Sequence, residues 1–287
     1  MIEYDGSGTG RLDRPVLSVC IPTFNRRDAV TELVQRLLEA ESRLQVCVHV
    51  DGSTDGTCEA LNEIASSETR LVVTHSQNKG RASAMFSAIR SATGEYAMIF
   101  DDDDECFTNN LPMIVDLLVG PAAREDKIAG FVFSMVISDE RANANSFPTA
   151  RSNLIKIRAD ERVVGDKKEI IKTRLLKLAA TPPAGNFRRV PTSLLWSRIA
   201  LLYDVNCVNI DIGRKRYLPD GMSAKIRQLQ RESPYPIFLL NCNYIRAFFL
   251  GRYFSKRFLS KAVISSVIFL SLSVPVFLRK TVSSFSS

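Results

Sequence analysis

Four consecutive aspartates, Asp101 to Asp104, directly follow the apolar run YAMIF at residues 96–100. Neighbouring carboxylates repel one another and each prefers water, so such a cluster is costly unless a ligand or an opposite charge offsets it. Mg²⁺ and Mn²⁺ take oxygen ligands, and Mg²⁺ is usually held by one or two carboxylates together with the phosphates of a substrate. The cluster therefore predicts a divalent-cation site for a diphosphate, with a solvated loop or a helix N-terminus as the alternative.

The elements that precede the cluster alternate between strand and helix. Apolar, β-rich runs predict strands at 16–21, 44–50, 70–75 and 95–100, and apolar residues at helical spacing predict a helix after each of the first three. This alternation predicts an α/β fold with a mostly parallel central sheet flanked by helices. Ligands of such sheets bind beyond the carboxyl ends of the strands. The polar segments PTFNR, DGSTDGT and DDDDE each follow a strand, so we expect them to converge on one crevice.

The chain is expected to divide into four segments. Residues 1–15 have no periodicity and predict a flexible lead-in, and 16–140 form the half that carries the polar segments. LPMIVDLLV predicts a helix and IAGFVFSMVI a strand. Residues 141–250 form a second, basic half, and 251–287 a basic and apolar tail.

Four motifs in this order resemble family 2 glycosyltransferases, which have the GT-A fold. They are LSVCIPTFNR (17–26), VDGSTDGT (50–57), NKGRASA (78–84) and GEYAMIFDDDD (94–104). The resemblance covers roughly residues 16–110. It implies a Rossmann-like sheet and transfer of a sugar from a nucleoside-diphosphate sugar to a hydroxyl acceptor, in cell-surface polysaccharide or glycolipid synthesis, with Mn²⁺ or Mg²⁺ as cofactor.

The resemblance also assigns roles to residues. Pro22 and Thr23 correspond to the strand end that touches the nucleotide base, and Asp51 to the acid that accepts a hydrogen bond from it. Arg81 corresponds to the side chain along the nucleotide or its phosphates. Asp103 corresponds to the metal ligand, with Asp101 and Asp102 near the ribose or the water shell of the metal. The family often has two acids before GS, whereas Val50 fills the first place here.

Members of this family usually invert the sugar in a single displacement, so the chemistry needs a general base and no covalent nucleophile. The family places the base in the second half, before a helix. Asp220 is the first candidate because it precedes a segment with helical spacing, followed by PIFLL (236–240), which predicts a strand. A helix N-cap role suits Asp220 equally well, and Asp211 and Asp166 are alternatives. His49 and His75 lie in predicted strands and are expected to be structural. Trp196 could stack on an acceptor ring or belong to the core.

Charge divides the chain unevenly. Residues 1–140 hold 12 Lys and Arg against 23 Asp and Glu, a net charge of −11, and the remainder holds 26 against 8, a net charge of +18. A basic half suits phosphorylated ligands, anionic lipid or nucleic acid. Few aromatic residues interleave with the basic ones, so nucleic acid is not expected.

The tail contains an uncharged stretch of 17 residues, 262–278, with basic residues on both sides. A spanning helix needs about 20 apolar residues, so we expect peripheral attachment to the anionic cytoplasmic face of a membrane, close to a saccharide or lipid-linked acceptor. A buried C-terminal helix is the alternative. The six cysteines form no CxxC pair and no secretory signal precedes them, which favours the reducing cytoplasm. The competing function is that of a degenerate nucleotide-binding partner subunit without catalysis.

Overall fold

The computed structural model describes residues 14–137, 146–184, 187–215 and 230–284, with side chains as far as 274. Apart from residues 14 and 15, the predicted lead-in lies outside the described part. The described cysteines, which are all six, are free.

The first hundred residues form the predicted alternation. In chain order the elements are β1 (Leu17–Thr23), α1 (Arg27–Ala40), β2 (Leu44–Asp51), α2 (Thr57–Ser67), β3 (Leu71–Ser76), α3 (Arg81–Ser91) and β4 (Tyr96–Ile99). The pairs β1–β2, β2–β3 and β1–β4 are all parallel. Strands β1, β2 and β4 are buried along their whole length, which explains why they are nearly continuous apolar runs. Their carboxyl ends therefore share one edge of the sheet.

The second part of the chain extends the same sheet. Its elements are β5 (Glu105–Cys106), α4 (Leu111–Val119), β6 (Ile128–Ile137), β7 (Arg151–Ser152), α5 (Lys156–Ala159), β8 (Lys167–Lys172), α6 (Thr173–Ala179), α7 (Thr192–Ala200) and β9 (Asp204–Lys215). The strand order is β3-β2-β1-β4-β8-β6-β9-β5, and β7 also pairs with β9. Strand β8 lies between β4 and β6 and is antiparallel to both. Its amino-terminal residues therefore lie beside the carboxyl end of β4, where the four aspartates follow.

Each face of the sheet carries its own hydrophobic core. Ile171 belongs to the core that contains residues of α3, α6 and α7, including Leu195. Its neighbour Ile170 belongs to the core that contains residues of α1 and α4, including Leu111. Because successive side chains of a strand point to opposite faces, odd-numbered residues of β8 face α7.

The predicted strand PIFLL is wrong. Residues 236–240 belong to α8 (Pro234–Phe249), which packs against the long C-terminal helix α9 (Lys256–Ser284). Proline is tolerated in the first turn of a helix, where its missing N–H has no helical acceptor. Ile237, Leu240 and Ala247 are buried at helical spacing, so the helix has an apolar stripe that a short window does not reveal.

The C-terminal helix is exposed along its apolar length. Lys256–Val274 has a mean hydropathy of 1.6, and only 17% of that stretch is buried. By length and composition it is long and apolar enough to cross a membrane. The alternative of a buried C-terminal helix does not fit this exposure.

Gly130 provides a test of the sheet. It lies at an irregularity in the pairing of β6, and a Cβ added there would lie 2.0 Å from the carbonyl oxygen of Ile170. We expect Gly130→Ala to lower the free energy of unfolding by about 1–3 kcal/mol, because β6 and β8 must separate to accept the methyl group. Urea unfolding monitored by circular dichroism measures this. Gly120→Ala, whose nearest atom would be 3.4 Å away, is the control and should leave stability nearly unchanged.

Candidate active site

The carboxyl ends of β1, β2 and β4 meet, as the sequence predicts. The Thr23 hydroxyl donates a hydrogen bond of 2.7 Å to Asp102, which joins the ends of β1 and β4. The loops after β1 and β2 are joined by bonds of 2.9 Å from the Asn25 amide to the Ser53 hydroxyl and from the Thr54 amide to the Asn25 side chain. Pro22 is buried near the end of β1, opposite His49 of β2.

Asp51 fixes the loop that leads into α3. Its carboxylate is buried and accepts hydrogen bonds of 2.8 Å from the backbone amides of Lys79 and Gly80. Gly80 has φ +93, and an added Cβ would lie 2.6 Å from the carbonyl oxygen of Arg188, so the tight approach requires glycine. Arg81 comes next, as the first residue of α3. Asp51 thus determines where Arg81 begins its helix.

The inner aspartates of the cluster are paired with cations from distant elements. Asp101 pairs with Arg81 and, at 3.2 Å, with Lys215 at the end of β9. Asp104 lies 3.3 Å from Lys168 of β8 and 3.4 Å from Lys215. Burial raises the pKa of Asp101, but the charges of Arg81, Lys168 and Lys215 outweigh it and hold the pKa well below its ordinary value. Burial raises the pKa of Asp104 despite the two lysines.

The outer aspartates face a single arginine. Arg26 lies 3.5 Å from Asp102 and 3.0 Å from Asp103. Burial raises the pKa of Asp102 to about 6, although the Thr23 hydrogen bond and the Arg26 charge both oppose the shift. Asp103 is the most exposed of the four, with 29% of its side chain accessible.

A cavity of about 130 Å³ opens beside the cluster. Asp101, Asp104 and Arg81 line one part of it, and Glu169 of β8 and Trp196 of α7 line another. Trp196 is 8% exposed, so its ring is both part of the core and part of the cavity wall. The cavity therefore joins the acidic cluster to the second half of the chain.

The donor chemistry of the cluster fits a divalent cation that a substrate helps to hold. Among the described residues, no group of three or more His, Cys, Asp or Glu side chains is arranged to hold a metal ion. A magnesium-type site needs only one or two carboxylates if phosphate oxygens complete the shell. Asp103, exposed and beside Asp102, suits the role that the sequence assigns to it.

The structure describes two of the three candidates for the general base. Asp220 lies outside the described residues and stays a prediction. Asp166 lines the cavity, whereas Asp211 lies on β9, where its carbonyl oxygen accepts a hydrogen bond of 2.7 Å from Asn110. The His49 ring contacts hydroxyls of β3, at 2.8 Å from Thr74 and 3.1 Å from Ser76, which is a structural role.

Lys168, Lys215 and Glu169 are site residues that were not predicted. Two of them lie in KKEIIK and the third ends a long strand, and by type they are ordinary surface residues. The only indication in the sequence was the excess of basic residues in the second half, and that excess does not identify particular positions.

Comparison with solved structures defines the fold. The mannosyltransferase PcManGT from Pyrobaculum calidifontis, solved with GDP-Man and Mn²⁺, matches 95% of this chain over 81% of its own length, with a TM-score of 0.56 and 19% identity. S. aureus TarS 1–349 with UDP-GlcNAc matches 81% of this chain over 72% of its own, also with a TM-score of 0.56 and 19% identity. The protein therefore has the GT-A fold, as predicted.

Sequence comparison agrees with the family resemblance. Residues 18–133 match the model of glycosyl transferase family 2. The putative teichuronic acid biosynthesis glycosyltransferase TuaG of Bacillus subtilis is 31% identical over 94 residues, which are 32% of this chain and 37% of TuaG. A chondroitin synthase of Pasteurella multocida is 34% identical over 91 residues, which are 31% of this chain and 9% of the synthase. The chain thus spans well under two thirds of these relatives.

Asp51 offers a test of how the site is held. We expect Asp51→Asn to lower the free energy of unfolding by about 1–3 kcal/mol. The NH₂ group of the asparagine side chain is a donor, so it cannot accept the hydrogen bond that the backbone N–H of Lys79 or Gly80 now donates to Asp51. Urea unfolding measures the loss. Asp116→Asn is the control, since its side chain is 67% exposed and pairs with Arg43 at the surface, where a pair contributes about 0–1 kcal/mol. Equal effects of the two substitutions would contradict the role of Asp51.

Proposed function

We propose that the protein is a metal-dependent, inverting glycosyltransferase that moves a sugar from a nucleoside-diphosphate sugar to a hydroxyl acceptor. One observation carries the proposal: Asp51, Arg81 and the aspartate cluster share one edge of the sheet beside a cavity. The match of residues 18–133 to the family 2 model supports it, as do the nucleotide sugars bound by the structural neighbours, GDP-Man and UDP-GlcNAc.

The nucleotide lies across the ends of β1 and β2 in this proposal. Pro22 and Thr23 contact the base, and Asp51 accepts a hydrogen bond from it. Each Asp51 oxygen accepts one backbone N–H and keeps a further lone pair for this bond. Arg81 pairs with the diphosphate, and Asp101 and Asp102 lie near the ribose or the water shell of the metal.

Asp103, with Asp102 beside it, would hold Mn²⁺ or Mg²⁺. A bound divalent cation acts as a Lewis acid that neutralises the charge developing on the departing nucleoside diphosphate. The chain's own cations support the same step, because Arg81 and Lys215 already lie at the inner end of the cluster. Preorganised charges of this kind are a large source of catalysis.

The acceptor hydroxyl must lose its proton as it attacks, so a carboxylate of the second half is required. Asp220 is the candidate that the sequence supports, with Asp211 and Asp166 as alternatives. A single displacement then inverts the anomeric carbon, and the cavity between the cluster and Trp196 is the space in which sugar and acceptor meet.

The acceptor belongs to cell-surface polysaccharide or glycolipid synthesis in this proposal, in keeping with the names of TuaG and the chondroitin synthase. The exposed apolar helix α9 and its basic start suit peripheral attachment at the cytoplasmic face of a membrane.

Calorimetric titration with UDP and GDP tests the site. We expect one of them to bind, with a dissociation constant at least tenfold lower in the presence of Mn²⁺. Asp103→Ala should abolish that difference, because it removes the carboxylate that would coordinate the metal. Asp28→Ala is the control, since its side chain is 99% exposed in the first turn of α1.

The outcomes separate the two candidate functions. Binding of neither nucleotide would contradict the donor site. Metal-dependent binding with no hydrolysis of any UDP- or GDP-sugar would favour the partner subunit without catalysis, which the valine at position 50 motivates.

Vesicle flotation tests the membrane surface. Lys256, Arg257 and Lys261 are exposed at the start of α9. Changing all three to Gln should weaken binding to vesicles of phosphatidylserine and phosphatidylcholine by about 100-fold, since each contributes on the order of 1 kcal/mol. Changing the exposed residues Arg124, Lys127 and Arg162 to Gln is the control. Binding that resists 1 M salt and needs detergent for release would instead indicate insertion.

A further inference from the structure

Strand β8 places the carboxylate of Glu169 in the cavity, and Glu169 belongs to none of the four sequence motifs. Ile170 pairs with Met98 of β4, so Glu169 lies one step closer to the aspartate cluster. It belongs to the odd-numbered face of β8, which faces α7, and it lines the cavity together with Thr192 and Trp196 of that helix. Glu169 is only 8% exposed.

Glu169 differs from the aspartates in its surroundings. Asp101 and Asp104 each contact two cations. Within the described part of the chain, by contrast, the Glu169 carboxylate forms no close ion pair; it accepts a hydrogen bond from its own backbone amide, and the charges of Arg158, Lys167 and Lys168 act on it from further away. A carboxylate buried without a close counter-ion is destabilising, so its presence in a cavity points to a ligand that supplies a further partner. The ligand must carry a proton that the carboxylate can accept or share.

We propose that Glu169 is the general base of the transfer, taking the proton of the acceptor hydroxyl in the cavity under Trp196. The proposal rests on the proposed glycosyltransferase function and gives to Glu169 the role that the sequence gives to Asp220. The acceptor oxygen forms a bond to the anomeric carbon, the bond from that carbon to the diphosphate breaks, and the nucleoside diphosphate leaves with its electron pair. The hydroxyl proton moves to a Glu169 carboxylate oxygen.

The electrostatics of the cavity suit this role. Burial raises the pKa of Glu169 to about 7, against the opposing charges of Arg158 and Lys168. The basic groups that face the cavity with it are Arg81, Arg158, Lys167, Lys168 and Lys215. The acidic groups are Asp101, Asp104 and Asp166. A base is most effective when its pKa lies near the working pH. Because a raised pKa leaves the carboxyl protonated below about 7, activity should rise with pH through that value and then level off.

The test is the pH profile of donor hydrolysis, with UDP-GlcNAc and GDP-mannose as probes and water as acceptor. Glu169→Gln should lower kcat by about 100-fold or more and remove the acidic limb, because a base contributes roughly 10²–10⁴-fold. Its affinity for UDP or GDP with Mn²⁺ should equal that of the wild type. Glu169→Asp keeps the carboxylate and should retain a weakened rate with the acidic limb. Glu39→Gln, exposed on the outer side of α1, is the control.

The possible results distinguish the role of Glu169 from the proposed function on which it rests. If Glu169→Gln binds nucleotide normally and keeps its kcat while Asp220→Asn or Asp166→Asn loses it, Glu169 is not the base. A wild type that binds nucleotide and hydrolyses neither probe contradicts the proposed catalysis, on which the role of Glu169 rests. Loss of nucleotide binding in the wild type contradicts the proposed function itself. If Glu169→Gln fails to fold, as judged by circular dichroism, Glu169→Asp decides: loss of its acidic limb overturns the proposal.

Discussion

The site depends on one constraint, which is that four adjacent carboxylates at the end of a buried strand must be matched by positive charge. Coulomb repulsion between them is strong in a partly buried environment, and desolvation adds to it. The chain meets the constraint with Arg26 after β1, Arg81 at the start of α3, Lys168 of β8 and Lys215 of β9. These four cations come from every element around the cluster, so the charge balance ties the two halves of the sheet together. Asp103 is the most exposed of the four, with 29% of its side chain accessible, which leaves it available for a ligand.

The sheet topology brings one of those cations, Lys168, to the cluster. A sheet of parallel strands alone would place only carboxyl ends at this edge. The antiparallel insertion of β8 between β4 and β6 turns an amino-terminal end toward it, and with that end come Lys168 on one face and Glu169 on the other. The alternation of side chains along a strand gives the two residues different partners: Lys168 lies over the Phe100 ring at 4.5 Å and neutralises Asp104, while Glu169 lines the cavity together with Trp196.

Local sequence patterns predicted the strands and helices correctly as far as β4. The strands and helices up to β4 are continuous apolar runs or helical stripes, and their order alone brings the three polar segments together. Such patterns did not predict features that depend on contacts between distant parts of the chain. PIFLL fits a strand over five residues, but its buried residues Ile237 and Leu240 belong to a helical stripe that continues to Ala247, outside that short window. Lys168 and Lys215 are separated from Asp104 by 64 and 111 residues, and no spacing rule connects them. Glu169 is hidden for the same reason, inside a segment whose charges look like a solvated face.

The division of charge along the chain has two separate causes. Part of the positive excess of the second half neutralises the cluster through Lys168 and Lys215. Another part, Arg252 to Lys261, precedes the exposed length of α9. These two groups are connected mechanically, since α9 packs on α8, α8 packs on α7, and Trp196 of α7 lines the cavity. An attachment of α9 to a lipid surface would therefore fix the orientation of the cavity relative to that surface, because the short connection between α8 and α9 is held by hydrogen bonds from the amides of Phe254 and Ser255 to Asp160. A transferase held this way would meet a lipid-linked acceptor at a set distance, which favours the reaction by lowering the entropy lost on encounter.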